Sequence, residues 1–178
     1  MRLFISIDLP KEVKDYLFDL QKRFYGLGKI NWVSKRNLHL TLKFFGEVKD
    51  PDLNEIEKIL NEIKFNKFRI SLMGSGVFPT KSYIRILWIG LSPISKIMDL
   101  QKKIDEELLL KFPKDQKFLA HLTLGRIKSL KDKEKFLELL EELKIEELSF
   151  NVDSFGLIKS ELTKDGPKYE VLKKYDLV

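Results

Sequence analysis

The 178-residue chain contains two histidines, and both stand in the same tetrapeptide pattern: His39-Leu40-Thr41-Leu42 and His121-Leu122-Thr123-Leu124. They lie 82 residues apart (121 − 39), close to half the chain. One pattern repeated at that spacing predicts a duplicated unit, folded as two similar lobes about a pseudo-two-fold axis. Side chains alternate along a strand, so His39 and Thr41 share one face and Leu40 and Leu42 the other. The same holds for His121 and Thr123 against Leu122 and Leu124. The leucines belong under a covering layer, and the polar pairs need a cleft. Two lobes facing each other would bring both imidazoles and both hydroxyls to one shared site.

The rest of the chain reads as alternating strands and helices in two rounds. Residues 3–8 alternate large apolar side chains and predict a first strand. Pro10 opens a helix whose apolar face is Val13, Leu17, Leu20 and Phe24, ended by Gly26 and Gly28. Residues 38–45 form a strand stopped at Gly46, and Asp50-Pro51-Asp52 caps a helix with Leu53, Ile56, Ile59, Leu60 and Ile63 inward. Residues 68–73 and 83–89 read as strands flanking a Gly/Pro-rich loop over 74–79. The second round begins near Ser92. It has a helix ending before Pro113, a basic loop, a strand over 118–128 and a helix over 131–143. Strands over 148–152, 154–158 and 169–172 finish the chain. The expected fold is α+β and bilobal: two antiparallel β-sheets facing a central cleft, with helices on the outer faces and a pseudo-two-fold duplication. A single domain over 1–178 is expected, with approximate lobes 1–91 and 92–178.

Composition narrows the function. The absence of cysteine excludes disulfides, thiolate nucleophiles and zinc-cysteine sites. With 33 basic and 27 acidic residues the formal charge is +6, which admits an anionic partner such as RNA. No apolar run is long enough to span a bilayer, so no membrane contact is expected. The opening Met1-Arg2-Leu3-Phe4-Ile5-Ser6-Ile7-Asp8 reads as a strand rather than a signal peptide, which predicts a cytoplasmic protein. An internally duplicated enzyme needs no second copy, so a monomer is expected.

Imidazole is the side chain whose ordinary pKa, about 6.5, lies near neutrality. One neutral histidine can take a proton from an attacking water while a protonated one delivers a proton to a leaving oxygen. In-line displacement at phosphorus puts these two events on opposite sides, which suits histidines on opposite lobes. The hydroxyls of Thr41 and Thr123 can donate to non-bridging phosphate oxygens. The array requires no cofactor and no metal. A zinc site would need carboxylate partners, and neither His-x-x-x-His nor a nearby acid supplies them. Lys43, four residues after His39, shares its face by simple alternation and would reach the phosphodiester. Arg126, five after His121, falls on the opposite face by simple alternation, but a bulge or strand end would bring it round to the RNA phosphate, and it joins Lys43 as a candidate substrate-binding residue. Phe44, Phe45, Phe78, Tyr83 and Trp88 are candidates for a base-stacking platform, most of them more at home in the core. The Gly74-Ser75-Gly76 stretch lacks the context of a nucleotide-binding loop.

The segments Asn37-Leu38-His39-Leu40-Thr41-Leu42-Lys43-Phe44-Phe45-Gly46 and His121-Leu122-Thr123-Leu124-Gly125-Arg126 resemble the paired His-x-Thr-x motifs of the 2H phosphoesterase superfamily. Within it the likeness is to the RNA 2′,3′-cyclic phosphodiesterases, also called 2′-5′ RNA ligases. It extends from Met1-Arg2-Leu3-Phe4 through Phe78-Pro79 and Arg85-Ile86-Leu87-Trp88 to Ser154-Phe155-Gly156 and Gly166-Pro167-Lys168-Tyr169. Gly125 departs from the alanine expected before Arg126. The resemblance implies hydrolysis of an RNA-terminal 2′,3′-cyclic phosphate to a 2′-phosphate. His39 would be the proton donor to the 3′ oxygen and His121 the proton acceptor from water, with Thr41 and Thr123 on the phosphate. Reversal of that chemistry would give 2′-5′ ligation. Action on other cyclic or 2′-5′-linked nucleotides, or noncatalytic binding of an RNA end, are the alternatives; the second leaves a paired acid and base without a purpose.

Overall fold

The computed structural model describes residues 1–114 and 117–178; residues 115 and 116, within the predicted basic loop, lie outside the described residues. The elements run β1 (Arg2–Asp8), α1 (Lys11–Lys22), β2 (Gly28–Trp32), a 3-10 turn (Lys35–Asn37), β3 (His39–Glu47), α2 (Asp50–Glu62), β4 (Phe68–Pro79) and β5 (Ile84–Ser92). Then follow α3 (Ser95–Leu108), β6 (Leu122–Leu130), α4 (Lys133–Glu142), β7 (Ser149–Val152), β8 (Ser154–Thr163) and β9 (Gly166–Asp176). The helices bury the faces their periodicity predicts: Val13, Leu17 and Leu20 on α1, Ile56 and Leu60 on α2, Phe136 and Leu140 on α4. Their starts differ in chemistry. The Asp132 carboxylate accepts from the Lys135 N–H at 2.9 Å and caps α4. Asp50 lies inside α2 rather than capping it, where its charge meets the positive end of the helix dipole.

Two antiparallel sheets form, β3-β1-β8-β9 and β2-β6-β5-β4-β7. The expected α+β, two-sheet architecture is present. The order of strands adds what local periodicity cannot carry. Shifted by 82 residues, β1 falls on β5, α1 on α3, β3 on β6, α2 on α4, and β4 on β7 with β8. Each sheet therefore has the same centre: a motif strand, the first strand of its own repeat, and from the other repeat either β4 or its equivalent β8. The sheets do not follow the division near residue 92, because β4 and β5 join the second-motif sheet while β8 and β9 join the first. Near the pseudo-axis β4 pairs with β7, Phe68 opposite Val152 and Ile70 opposite Phe150. These four are equivalent in crossed pairs (68 + 82 = 150; 70 + 82 = 152), and all are buried.

Two expectations about β4 and Lys43 are corrected. The Gly/Pro-rich stretch over 74–79 is strand, not loop. Gly74 takes φ +71° at an irregularity between Leu72 and Ser75, and pairing with β5 then resumes. Lys43 is not on the histidine face but in the core, at 2% exposure.

Candidate active site

The displacement of Lys43 has a backbone cause. Along β1 and β3, Asp8 pairs with His39 and Ser6 with Thr41, but Ile5 pairs with Lys43, so Leu42 is an extra residue in β3. A bulge resets the alternation. Leu42 and Lys43 both point inward, and Phe44 returns to the cleft face, 64% exposed. Lys43 Nζ donates to Asp105 Oδ1 of α3 at 2.5 Å and to the Pro113 carbonyl at 2.9 Å. Asp105 also accepts from Gln101 at 2.7 Å. A buried ammonium needs such partners, and they take Lys43 out of the substrate's reach.

The second motif repeats the bulge. Trp88 pairs with Thr123 and Leu87 with Gly125, leaving Leu124 as the extra residue in β6. Leu124 and Gly125 are buried, and Arg126 comes round to the face of His121 and Thr123, where it is exposed. Arg126 and Phe44 are thus equivalent positions (44 + 82 = 126). The Leu124 carbonyl accepts from Val33 N–H at 3.0 Å and from the buried Gln21 amide of α1 at 2.9 Å. Gly125 is required by close approach: a Cβ there would lie 2.8 Å from both Ile30 Cγ2 and Trp32 Cε3. The departure from alanine therefore reflects the packing of β2, not added flexibility.

The strands β3 and β6 lie against one another where the two sheets meet, so the motifs face one cleft. Both imidazoles are oriented alike. His39 Nδ1 is 2.6 Å from the Asn37 carbonyl, and His121 Nδ1 is 2.7 Å from the Leu119 carbonyl. A carbonyl only accepts, so each Nδ1 carries the proton and donates it, and Nε2 is the basic nitrogen available to a substrate. His39 Nε2 lies 2.8 Å from Thr41 Oγ1. Phe4 and Tyr169 pack the His39 ring at 5.0 and 5.5 Å between centroids, Tyr169 edge-on. Phe78 stands edge-on to His121 at 5.0 Å and is itself stacked on Trp88. Neither Phe4 nor Tyr169 was marked as a site residue by sequence pattern, since their place beside His39 comes from β1 pairing and from the last strand, 130 residues away (169 − 39).

Burial is the largest influence on both imidazoles and pulls both below the ordinary histidine value. The carbonyl hydrogen bonds at Nδ1 oppose it. Arg126 lowers both further and also acts on the Tyr169 hydroxyl, so its charge reaches both sides of the cleft. Among the described residues, only His39 has a carboxylate, Asp8, acting to raise it, partly offset by Lys14, which is ion-paired to Asp8 at 2.8 Å. Such an array can move two protons at one centre while holding an anion. Among the described residues, no three His, Cys, Asp or Glu side chains gather where a metal ion could be held. No helix among them is long and apolar enough to cross a membrane.

The pattern is shared with known proteins. A model of LigT-like phosphoesterases matches the chain twice, over residues 7–88 and 89–169, one match per repeat. The RNA 2′,3′-cyclic phosphodiesterase of Methanocaldococcus jannaschii is 38% identical, over 98% of this chain and 100% of its own. The protein of the same name from Methanothermobacter thermautotrophicus is 34% identical, over 99% of both. Among solved structures, a Thermus thermophilus protein superposes with TM-score 0.83 and 26% identity, covering 99% of this chain and 97% of its own. Escherichia coli LigT, solved with 3′-AMP, shares the fold at TM-score 0.78 and 24% identity, over 99% of this chain and 97% of its own. On the doubled match and the full-length relatives, the chain belongs to the LigT-like phosphoesterase family.

Proposed function

We propose that this protein hydrolyses the 2′,3′-cyclic phosphate at an RNA end to a 2′-phosphomonoester. The observation that carries the reading is the matched pair of imidazoles, each with Nδ1–H spent on a backbone carbonyl, which leaves Nε2 as the nitrogen for proton transfer. The full-length relatives named RNA 2′,3′-cyclic phosphodiesterase support the substrate class.

In this reaction water attacks phosphorus and passes a proton to His121 Nε2. The P–O3′ bond breaks, and O3′ takes the proton from His39 Nε2. The products are a 2′-phosphate and a free 3′-hydroxyl. His39 ends neutral and His121 protonated, and exchange with solvent resets both. Assignment of His39 as the donor is supported by Asp8, among the described residues the one carboxylate acting on either ring. Thr41 and Thr123 donate to the non-bridging oxygens, and Arg126 balances the charge that builds on them. Phe44, on the site face by virtue of its bulge, offers a ring to the terminal base. Both histidines come from one chain, so the enzyme is expected to act as a monomer; the proton transfers assigned to them call for no metal, and the enzyme is expected in the cytoplasm.

The test is hydrolysis of a short RNA with a terminal 2′,3′-cyclic phosphate in excess EDTA, with the product isomer identified. A 2′-phosphate is expected. A 3′-phosphate would reverse the assigned leaving group, and no turnover would refute the activity.

A further inference from the structure

We propose that a hollow beside His39 is a subsite for the nucleotide immediately upstream of the cyclic phosphate, held through its phosphodiester. This rests on the reading of the cleft as an RNA-end phosphodiesterase, and goes beyond it by locating where the rest of the RNA is gripped.

The hollow has a volume of about 450 Å³ and opens next to His39 on the cleft face of the β3-β1-β8-β9 sheet. That lies within the usual range of small-ligand sites, roughly 300–1,000 Å³. Its floor is made by small side chains on adjacent strands. Ser6 of β1 pairs with Gly156 of β8, and Ser154 follows on the same face. Gly156 is not among the glycines with positive φ, so the backbone there does not call for glycine. A Cβ at 156 would come within 3.2 Å of Ile158 Cδ1 and occupy the floor. Glycine inside a strand costs about 0.5–1 kcal/mol relative to alanine and often marks close approach of a ligand. Here the place of a Cβ is taken up by Ile158 and Val171, which themselves line the hollow, so a side chain at 156 would push them into it.

The rim is cationic. Lys14, Arg36, Lys168 and Lys174 line the hollow with a single carboxylate, Asp8, whose charge is matched by Lys14. Three cations remain to meet an anion. The wall is fixed: the Asn37 amide donates to the Pro167 carbonyl at 2.8 Å and ties the 3-10 turn to the start of β9. In the proposed reaction His39 faces O3′, so the ribose lies on this side of the cleft. Its 5′ oxygen then leads into the hollow, where the next phosphate of the chain meets the cations. The terminal base is served elsewhere, by Phe44 beyond the bulge.

The experiment compares a mononucleoside 2′,3′-cyclic phosphate with a dinucleotide ending in the same group. The wild-type enzyme is expected to show kcat/KM about tenfold higher on the dinucleotide, the scale of one charge-assisted contact. Gly156→Val and, independently, Lys174→Glu should bring the dinucleotide down to the mononucleotide's rate and leave the latter unchanged. Equal losses on both substrates would put the terminal nucleoside in the hollow and overturn the subsite. So would the absence of any chain-length gain in the wild type. Calorimetric binding of the 2′-phosphorylated mono- and dinucleotides separates the two claims. If neither cyclic phosphate turned over, the activity would be refuted. A dinucleotide preference abolished by Gly156→Val would still sustain the subsite, and no preference would remove it.

Discussion

The two motif strands bend at the same place and are held there by opposite means. Under the first bulge sits a buried cation, Lys43, ion-paired to Asp105 and bonded to the Pro113 carbonyl. Under the second, the equivalent residue (43 + 82 = 125) is Gly125, closed over by Ile30 and Trp32, while the Gln21 amide caps the freed Leu124 carbonyl. In each case the support comes from the helix of the other repeat: α3 serves β3, and α1 serves β6. What the repeats share is therefore the bend that lines up His-Thr with Phe44 or Arg126. The interior beneath it differs completely. Backbone geometry sets this site, and the side chains that stabilise it are interchangeable solutions.

Substitution of the histidines is expected to have the largest effect and would sharpen the comparison on the chemical side. His39→Ala and His121→Ala should each lower kcat/KM by about 10²–10⁴-fold. A substrate with an aryl leaving group, which needs no proton, should restore the rate to His39→Ala but not to His121→Ala. Equal recovery in both would remove the acid and base assignment.

The next effect tests the two supports. Lys43→Met leaves a carboxylate in the core and should destabilise the fold by about 3–5 kcal/mol in urea unfolding, with much of that regained in Lys43→Met/Asp105→Leu. Gly125→Ala, which only overpacks, should cost about 1–3 kcal/mol. A loss at Lys43 no larger than at Gly125 would mean the ion pair is not what holds the first bulge.

The smallest expected effect is in the pH dependence. His39 must be protonated to act, so kcat/KM should fall as pH rises through its value in the free enzyme, below the ordinary 6.5 because burial lowers it. His121 must be neutral, and its own lowered value sets the acid limb. A bound phosphodiester anion favours the imidazolium, so the alkaline limb of kcat should lie above that of kcat/KM. Coincident limbs would contradict His39 as the donor beside phosphate.

Much of this was legible in the sequence. The repeat, the helix faces and the histidine–threonine pairing all follow from local periodicity, which is where burial writes its pattern. The bulges do not. Leu42-Lys43 reads as continued alternation, which puts Lys43 on the substrate side and lets Arg126 reach it only through a bulge. A one-residue insertion in a ladder is defined by the partner strand, not by the strand that carries it. Composition misled at Gly74–Pro79, where glycine and proline sit inside a strand. The strand exchange between repeats leaves no local trace, because nothing in β4 or β8 states which sheet it will join.

That exchange fixes when the molecule can be finished during synthesis. Arg2 pairs with Ser160, 158 positions later (160 − 2), and β9 adds to the same sheet after it. The sheet that carries the first histidine is begun by β1 and completed only by β8 and β9, which are synthesised after both motifs and helices α1 to α4. Contacts of such long sequence separation make folding slow to close. Until β8 emerges, β1 must wait with one edge open, so a nascent or truncated chain exposes an unpaired strand built from Leu3, Phe4 and Ile5.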